Sequence, residues 1–202
     1  MRPTIEEIQK QALEVLRSGG IIVYPTDTIW GIGCDATNPE AVKKVYGIKR
    51  REDSKALVLL AANLDMVARY VKEIPPIAVD LVEVNDKPMT IIYPQGIAGK
   101  ADAPADRHFL AWNVVAEDGS VGIRIPMNEF CRNLSYKLGR PIVSTSANIS
   151  GQPSPGGFGQ IAPEILEAAD YVVPSFLDRE ATGVVSQIIK VELDGQVIII
   201  RA

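Results

Sequence analysis

The chain has 202 residues, of which 47% are hydrophobic and 23% charged, and its formal net charge is −4 at pH 7. This composition is typical of a globular protein and excludes an intrinsically disordered chain. The slightly negative charge argues against a general nucleic-acid coat, although it is compatible with a local basic patch.

The sequence has no feature of a membrane or exported protein. Its apolar runs fall short of the roughly 18 residues that a spanning helix needs. The N-terminus lacks the apolar core of a signal peptide. Cys34 and Cys131 lie far apart without metal-ligand spacing, so we expect buried free thiols in a reducing cytoplasm. We predict one cytoplasmic domain over residues 1–202, without a membrane contact and without a protein-bound metal ion.

The predicted elements begin with a helix and a buried strand. Thr4 and Glu7 form a capping box at the start of a helical apolar pattern over residues 5–16. Residues 21–24 form a short apolar strand. The polar sequence Pro-Thr-Asp-Thr at 25–28 then breaks this strand, and a Gly-Ile-Gly sequence follows, where small residues permit a close backbone approach.

A basic stretch follows the second predicted helix. Asn38 and Pro39 start this helix, which covers residues 40–48. The bases of the following stretch are Lys49, Arg50, Arg51 and Lys55. Side chains of this kind bind a phosphate or a carboxylate, but a charge run by itself is more often a solvated helix end whose dipole favours cations. Both interpretations stay open at this point.

The middle of the chain alternates short elements and then becomes irregular. Strands are predicted at 56–60 and 89–93, and helices at 64–70 and 77–84. Periodicity fades from 94 to 120, which is typical of a lid or binding loop, although 111–115 could form a strand. The only histidine, His108, lies here, and we expect an exposed loop residue rather than a catalytic base.

Two later strands carry polar side chains. Residues 121–126 resemble a strand interrupted by Arg124, whose charge requires an acidic partner or a site to point into. Residues 141–144 form a buried strand, and it leads into a polar run. This run contains Ser144, Thr145, Ser146 and Asn148. Such a run at the carboxyl end of a strand suits a polar ligand, but the same residues also build turns that only end a strand.

The remaining elements complete a mixed fold. A helix carries Phe130, Leu134 and Leu138 and ends at Gly139. A loop at 151–159, a helix at 163–169 and a strand at 171–173 follow, and then a hairpin of 186–192 and 197–200 around an Asp-Gly turn. The alternation of strands and helices predicts an α/β fold with a mixed sheet.

Together, several of these motifs resemble one known family. They are Tyr24-Pro25-Thr26-Asp27-Thr28 with Gly31-Ile32-Gly33, Lys49-Arg50-Arg51, Arg124-Ile125-Pro126 and Ser144-Thr145-Ser146-Ala147-Asn148. In this order and spacing the chain is similar to the YrdC family of threonylcarbamoyl-AMP synthases over about residues 15–201, in its short, single-domain form. The resemblance implies a twisted mixed β-sheet with flanking helices around a large concave cavity.

The resemblance also implies a reaction. Members of this family are nucleotidyltransferases that join L-threonine, bicarbonate and ATP, as its Mg²⁺ complex, and release pyrophosphate. The product, threonylcarbamoyl-AMP, passes to tRNA threonylcarbamoyl-transfer proteins that modify adenosine 37 of tRNA. A direct contact with tRNA or double-stranded RNA is part of this expectation.

Residue by residue, the resemblance assigns three sets of side chains. Positions that hold L-threonine correspond to Thr28, Arg124, Ser144 and Ser186. The catalytic Lys-x-Arg pair corresponds to Lys49 and Arg51. Positions that contact the nucleotide correspond to Arg51, Lys55, Ser120, Ser146, Asn148, Ser154 and Arg201. The chemistry suits these types, because fixed cations and neutral donors stabilise the charge that develops on carbamate and pyrophosphate oxygens.

The chain departs from the family pattern at several positions that affect the expected threonine contacts. Glu52 replaces a proline, residues 85–87 replace Trp-Pro-Gly, and Leu60 replaces a histidine found in some relatives. Gln187 and Lys190 replace a threonine and an aspartate.

Two other functions stay open. One is a non-catalytic RNA-binding module that uses the same cavity. The other is a carbamoyl-adenylate domain of a hydrogenase maturation protein, which the chain length and the lack of a cysteine-rich region disfavour.

Overall fold

The computed structural model describes residues 2–50, 57–178 and 181–202. The helices in these ranges are α1 (Ile5–Arg17), α2 (Pro39–Lys49), α3 (Leu64–Tyr70), α4 (Pro76–Val84), α5 (Glu129–Leu138) and α6 (Pro163–Glu167). The strands are β1 (Ile22–Tyr24), β2 (Gly31–Gly33), β3 (Val58–Leu60), β4 (Met89–Tyr93), β5 (Val121–Arg124), β6 (Ile142–Ser146), β7 (Tyr171–Val172), β8 (Gln187–Val191) and β9 (Val197–Arg201).

The strands described by the structure form one mixed sheet. Their order is β7-β1-β2-β6-β3-β5-β4-β8-β9. Strand β1 runs parallel to β7, β3 to β5 and β4 to β8, whereas the other neighbours are antiparallel. Helices flank this sheet, so the predicted α/β fold with a mixed sheet is confirmed.

Local sequence signals set the ends of the helices as predicted. The Thr4–Glu7 capping box is present at the start of α1. The Asn38 side chain accepts hydrogen bonds from two backbone amides at the start of α2, where Pro39 occupies the first turn. Gly139 ends α5 with φ at 76°, a left-handed conformation that glycine adopts without a Cβ clash.

The two faces of the sheet have different neighbours. Side chains alternate between faces along a strand, so Val143 of β6 joins the main core with α2 and α3, while Ile142 points the other way. On that second face, α1 and α5 cover Ile142 and the ends of β1 and β3 with a second apolar cluster. Further along β6, Ser144 and Ser146 lie beyond these helices and line a cavity.

Strand β2 was not predicted, because its three residues contain two glycines. Gly33 packs so closely on β6 that a Cβ there would lie 1.8 Å from the Val143 carbonyl oxygen. Glycine therefore permits the β2–β6 pairing rather than marking a loop. This pairing also extends β6 past Ser144, since Thr145 and Ser146 pair with β2.

The prediction of a strand at 111–115 is wrong, because residues Trp112–Val114 form a 3-10 turn. The Val114 amide bonds back to the Ala111 carbonyl, and the Ala111 amide is already taken by Ala36. Most of the 94–120 segment is irregular as predicted, and His108 is exposed. Cys34 and Cys131 are buried free thiols, also as predicted. Among the described helices, none has the length and apolar character to cross a bilayer.

Candidate active site

A cavity of about 290 Å³ occupies the part of the second sheet face that α1 and α5 leave open. It brings together all four side chains predicted to hold L-threonine, namely Thr28, Arg124, Ser144 and Ser186. Ser146, Ser154 and Arg201 of the predicted nucleotide set also line it. These residues come from the turn after β1, from β5, β6 and β9, from the loop after β6 and from the position just before β8, so the sheet assembles a site from distant parts of the sequence.

The turn that carries Thr28 is wound around the hydroxyl of Thr26. This hydroxyl accepts a hydrogen bond from the Thr28 amide at 3.0 Å and donates to the Ile29 carbonyl at 2.8 Å. The two threonine hydroxyls lie 2.9 Å apart, and Thr28 is the donor because the Thr26 proton is already used. Thr26 also lines the cavity. Ser and Thr commonly form turns of this kind, but the sequence does not predict that Thr26 lines a cavity.

Arg124 satisfies both interpretations that the sequence left open. Its Nη1 donates to Asp27 Oδ1 at 2.6 Å, and both side chains are almost fully buried. Asp27 Oδ2 accepts a second hydrogen bond, from the Met127 amide at 2.9 Å. Arg124 is therefore paired with an acid, and it also lines the cavity.

Lys49 lies under the polar residues at the end of β6 and does not line the cavity. Its side chain is buried, and Nζ donates to the carbonyls of Ser146 and Asn148 at 2.5 and 2.7 Å. The Asn148 Oδ1 atom accepts a third bond from Nζ at 3.1 Å and also one from the Ser146 hydroxyl at 2.5 Å. The buried ammonium therefore holds the 146–148 turn in place. A turn that only ends a strand would not require a buried charge of this kind.

The rest of the basic stretch divides into two parts. Arg50 ends α2 in a left-handed conformation and forms an exposed ion pair with Glu164 at 3.0 Å. This pair matches the interpretation of a solvated helix end. Arg51 and Lys55, which we predicted in the catalytic and nucleotide sets, lie outside the residues that the structure describes.

Ser144 and Ser186 are held by buried partners that the sequence did not reveal. Ser144 lies beside the buried Tyr24 phenol, which donates to the Val143 carbonyl at 3.3 Å, and burial raises the pKa of this phenol, so it stays protonated near neutral pH. The Thr90 and Ser186 hydroxyls lie 2.9 Å apart. Arg201 donates to the Ser186 carbonyl from Nη2 at 2.6 Å and from Nε at 2.9 Å.

Two residues of the predicted nucleotide set lie outside the cavity lining in the described part of the chain. Asn148 belongs to the turn held by Lys49. Ser120 precedes β5 and is buried, with its carbonyl bonded to the Ala116 amide. It stands four positions before Arg124, outside β5, and its amide donates to Asp118 Oδ1 at 2.9 Å.

The lining residues can bind and orient a polar anion. Among the described residues that line this cavity, the charged side chains are Arg124 and Arg201, and the polar ones are hydroxyls. Guanidinium and hydroxyl groups donate hydrogen bonds to carboxylate and phosphate oxygens. A larger cavity of about 820 Å³ is lined mainly by residues between 98 and 112, and none of the predicted site residues lines it.

Comparison with known proteins places this chain in a family. The family model named for Sua5, YciO and YrdC, with the description "Telomere recombination", matches residues 14–202. A protein of Methanocaldococcus jannaschii, named as a candidate threonylcarbamoyl-AMP synthase, is 36% identical over 202 residues, which cover 97% of this chain and 87% of the relative. The threonylcarbamoyl-AMP synthase of Stenotrophomonas maltophilia is 31% identical over 172 residues, or 85% of this chain and 86% of the relative.

Solved structures agree with this result. P. abyssi Sua5, crystallised with L-threonine, is 25% identical with a TM-score of 0.76, and the match covers 95% of this chain and 52% of Sua5. The chain thus spans about half the length of that protein. E. coli YciO is 23% identical with a TM-score of 0.73 over 99% of this chain and 90% of its own, which supports the fold. The chain belongs to the Sua5/YciO/YrdC family.

Proposed function

We propose that this protein is a threonylcarbamoyl-AMP synthase, a nucleotidyltransferase that uses L-threonine, bicarbonate and ATP. The observation that carries the proposal is the convergence of Thr28, Arg124, Ser144 and Ser186 on one cavity. Relatives named as threonylcarbamoyl-AMP synthases and the L-threonine complex of P. abyssi Sua5 support it.

The proposed threonine site uses charge and hydroxyl groups. The Arg124 guanidinium donates to the amino-acid carboxylate, and the hydroxyls of Thr28, Ser144 and Ser186 surround the polar remainder. The apolar side chains of Val58 and Ile188 line the same cavity and suit the threonine methyl group. This arrangement leaves the amine to meet bicarbonate.

The proposed chemistry needs positioning and charge stabilisation. The threonine nitrogen bonds to the carbon of bicarbonate, with loss of water, and gives a carbamate. A carbamate oxygen then bonds to the α-phosphorus of ATP while the bond to pyrophosphate breaks. Negative charge on these oxygens is stabilised by fixed cations, for which we propose Arg201 in the cavity and Arg51 and Lys55 from the sequence prediction.

The nucleotide is proposed to extend over the polar end of β6. Ser146 and Ser154 line the cavity there, and Lys49 acts by holding the Ser146 and Asn148 carbonyls. In the described part of the chain, no group of three or more His, Cys, Asp or Glu side chains is placed to hold a metal ion. We therefore assign Mg²⁺ to the ATP phosphates, since this ion usually keeps several waters. Its chemistry there is to neutralise phosphate charge.

The test is pyrophosphate release from ATP and Mg²⁺, with L-threonine and bicarbonate each present or omitted. We expect release only when both are present. Ser144→Ala should raise the KM for threonine by about tenfold, because it removes a donor from the site. Ser150→Ala is the matched control, since this residue is exposed and outside the cavity lining.

Absence of release from folded protein under every combination would contradict the proposal and favour the RNA-binding module. That module would show RNA binding that weakens steeply with salt. The transfer of the product to tRNA-modifying partners, a direct RNA contact and a cytoplasmic location all stay predictions.

A further inference from the structure

We propose that Asp27 is a positioning residue for amino-acid binding, which acts by fixing the guanidinium of Arg124. The inference rests on the proposed function, because the ligand it concerns is the carboxylate of L-threonine. Asp27 is buried and lies outside the described cavity lining, so it acts through Arg124 rather than by touching the substrate.

Both oxygens of the Asp27 carboxylate are engaged. Oδ1 accepts from Arg124 at 2.6 Å, and Oδ2 accepts from the Met127 amide at 2.9 Å. The Asp27 carbonyl also accepts from the Thr182 amide at 3.2 Å. The carboxylate is thus fixed between the turn after β1 and the end of β5, and its position defines where the guanidinium lies.

The other guanidinium donors of Arg124 are available to the cavity. Within the described ranges, Asp27 is the one hydrogen-bond and ion-pair partner of this side chain. No nitrogen of the Arg124 side chain is both fully buried and without a hydrogen-bond partner. Since a guanidinium has five N–H donors in one plane, the group can hold Asp27 at one edge and a ligand carboxylate at another.

Charge and position make opposite predictions for the loss of the Asp27 charge. If Asp27 only balances charge, Asp27→Asn leaves a more positive cavity and binds the threonine carboxylate more tightly. If Asp27 fixes the guanidinium, the same change lets Arg124 turn away and weakens binding, because productive geometry is lost. Asp27→Glu keeps the charge but moves the carboxylate by one methylene. Only a positioning role of Asp27 therefore predicts weaker threonine binding in both Asp27→Asn and Asp27→Glu.

A second acid–arginine pair provides a control. Arg140 Nη1 lies 3.1 Å from Asp35 Oδ2, and Asp35 Oδ1 accepts from the Thr37 amide at 2.9 Å. The arrangement is similar to that of Asp27, although Arg140 is partly exposed and the Thr37 hydroxyl also donates to Asp35 Oδ1 at 2.7 Å. Neither Asp35 nor Arg140 lines the cavity. Asp35→Asn should therefore lower the stability of the protein as Asp27→Asn does, but it should not change threonine binding.

The experiment measures the Kd of L-threonine by calorimetry and the KM values for threonine and ATP by pyrophosphate release. For Asp27→Asn and Asp27→Glu we expect threonine Kd and KM about tenfold or more above the wild type, and a KM for ATP within about twofold. Asp35→Asn should match the wild type in both. Circular dichroism verifies the fold, and Asp27→Glu decides the matter if Asp27→Asn does not fold.

Unchanged or tighter threonine binding by the folded variants would overturn the role of Asp27 while the wild type stays active. Equal weakening of threonine and ATP, or the same weakening in Asp35→Asn, would overturn it as well, because the effect would then be structural. A wild type that neither binds threonine nor releases pyrophosphate would refute the proposed function, and this inference with it.

Discussion

One face of the sheet contains an apolar half and a polar half, and strand β6 passes through both. Ile142 is fully buried under α1 and α5, whereas Ser144 and Ser146, on the same face of the strand, line the cavity. All three residues belong to the same strand. The difference is that the helices end before the second half, so its side chains need another partner.

This difference separates stability from function. In the covered half, apolar side chains find their partners within the protein, and burial of each stabilises the fold by about 1.5–3 kcal/mol. In the open half, hydroxyl and guanidinium donors are held in place by second partners such as Thr90 and Asp27. We therefore expect substitutions in the two halves to affect different measurements.

The largest effect is expected for Ile142→Ala in the covered half. Loss of a fully buried isoleucine leaves a cavity between the sheet and the two helices. The free energy of unfolding should fall by about 2–5 kcal/mol in urea titrations, with the KM for threonine unchanged at temperatures where the variant is folded. A raised KM with full stability would show that the two halves are not separate.

Arg51→Ala tests whether a residue outside the described ranges belongs to the open half. The sequence resemblance predicts that turnover falls more than tenfold with the fold retained, since a cation near the developing charge is lost. Arg50→Ala is the control, because Arg50 forms an exposed ion pair with Glu164 and should change turnover little. Near-wild-type turnover of Arg51→Ala would remove this residue from the site.

A smaller effect is expected when Ser146→Ala and Asn148→Ala are combined. The variant loses the bond between the two side chains and one of the acceptors of Lys49. The Kd of ATP should rise about fivefold in calorimetry, the size of one lost hydrogen bond, while the Kd of threonine changes less. Unchanged ATP affinity would mean that this stretch is only a turn.

The smallest effect is expected for Gly31→Ala, which narrows the open half. The added methyl group would lie 3.3 Å from Ser144 Oγ at the cavity wall. The KM for threonine should rise about threefold, with a change in stability within about 1 kcal/mol. Gly47→Ala is the control, since this helical position has nothing within 4 Å of the new methyl group. A KM equal to the wild type would place the ligand away from Gly31.

Much of the local structure could be predicted from the sequence, because local signals determine it. The Thr4–Glu7 box, the Asn38 cap and the Gly139 terminus act within a few residues, and each is present. The resemblance selected seven of the residues that line the cavity, but also Lys49, Ser120 and Asn148, which do not line it. Strand β2 could not be predicted, since its pairing depends on the Val143 backbone more than a hundred residues away.

The hydrogen-bond partners that position the site residues could not be predicted from the sequence either. Arg124 clearly required a partner, but several acidic residues could have provided it, and only the fold selects Asp27. The Lys49 ammonium could have pointed to solvent. It is instead enclosed by carbonyls of the 146–148 turn, which lies close in space but far in sequence.

The strand order also has a consequence for how the protein forms during translation. Strand β4 pairs with β8, and the side chains of Ser186 and Arg201 complete the cavity wall. A ribosome releases the earlier strands well before these residues, so a nascent chain can build most of its core without a finished cavity. A ligand that requires the whole cavity cannot stabilise such an intermediate, and it adds stability only once the last hairpin has docked.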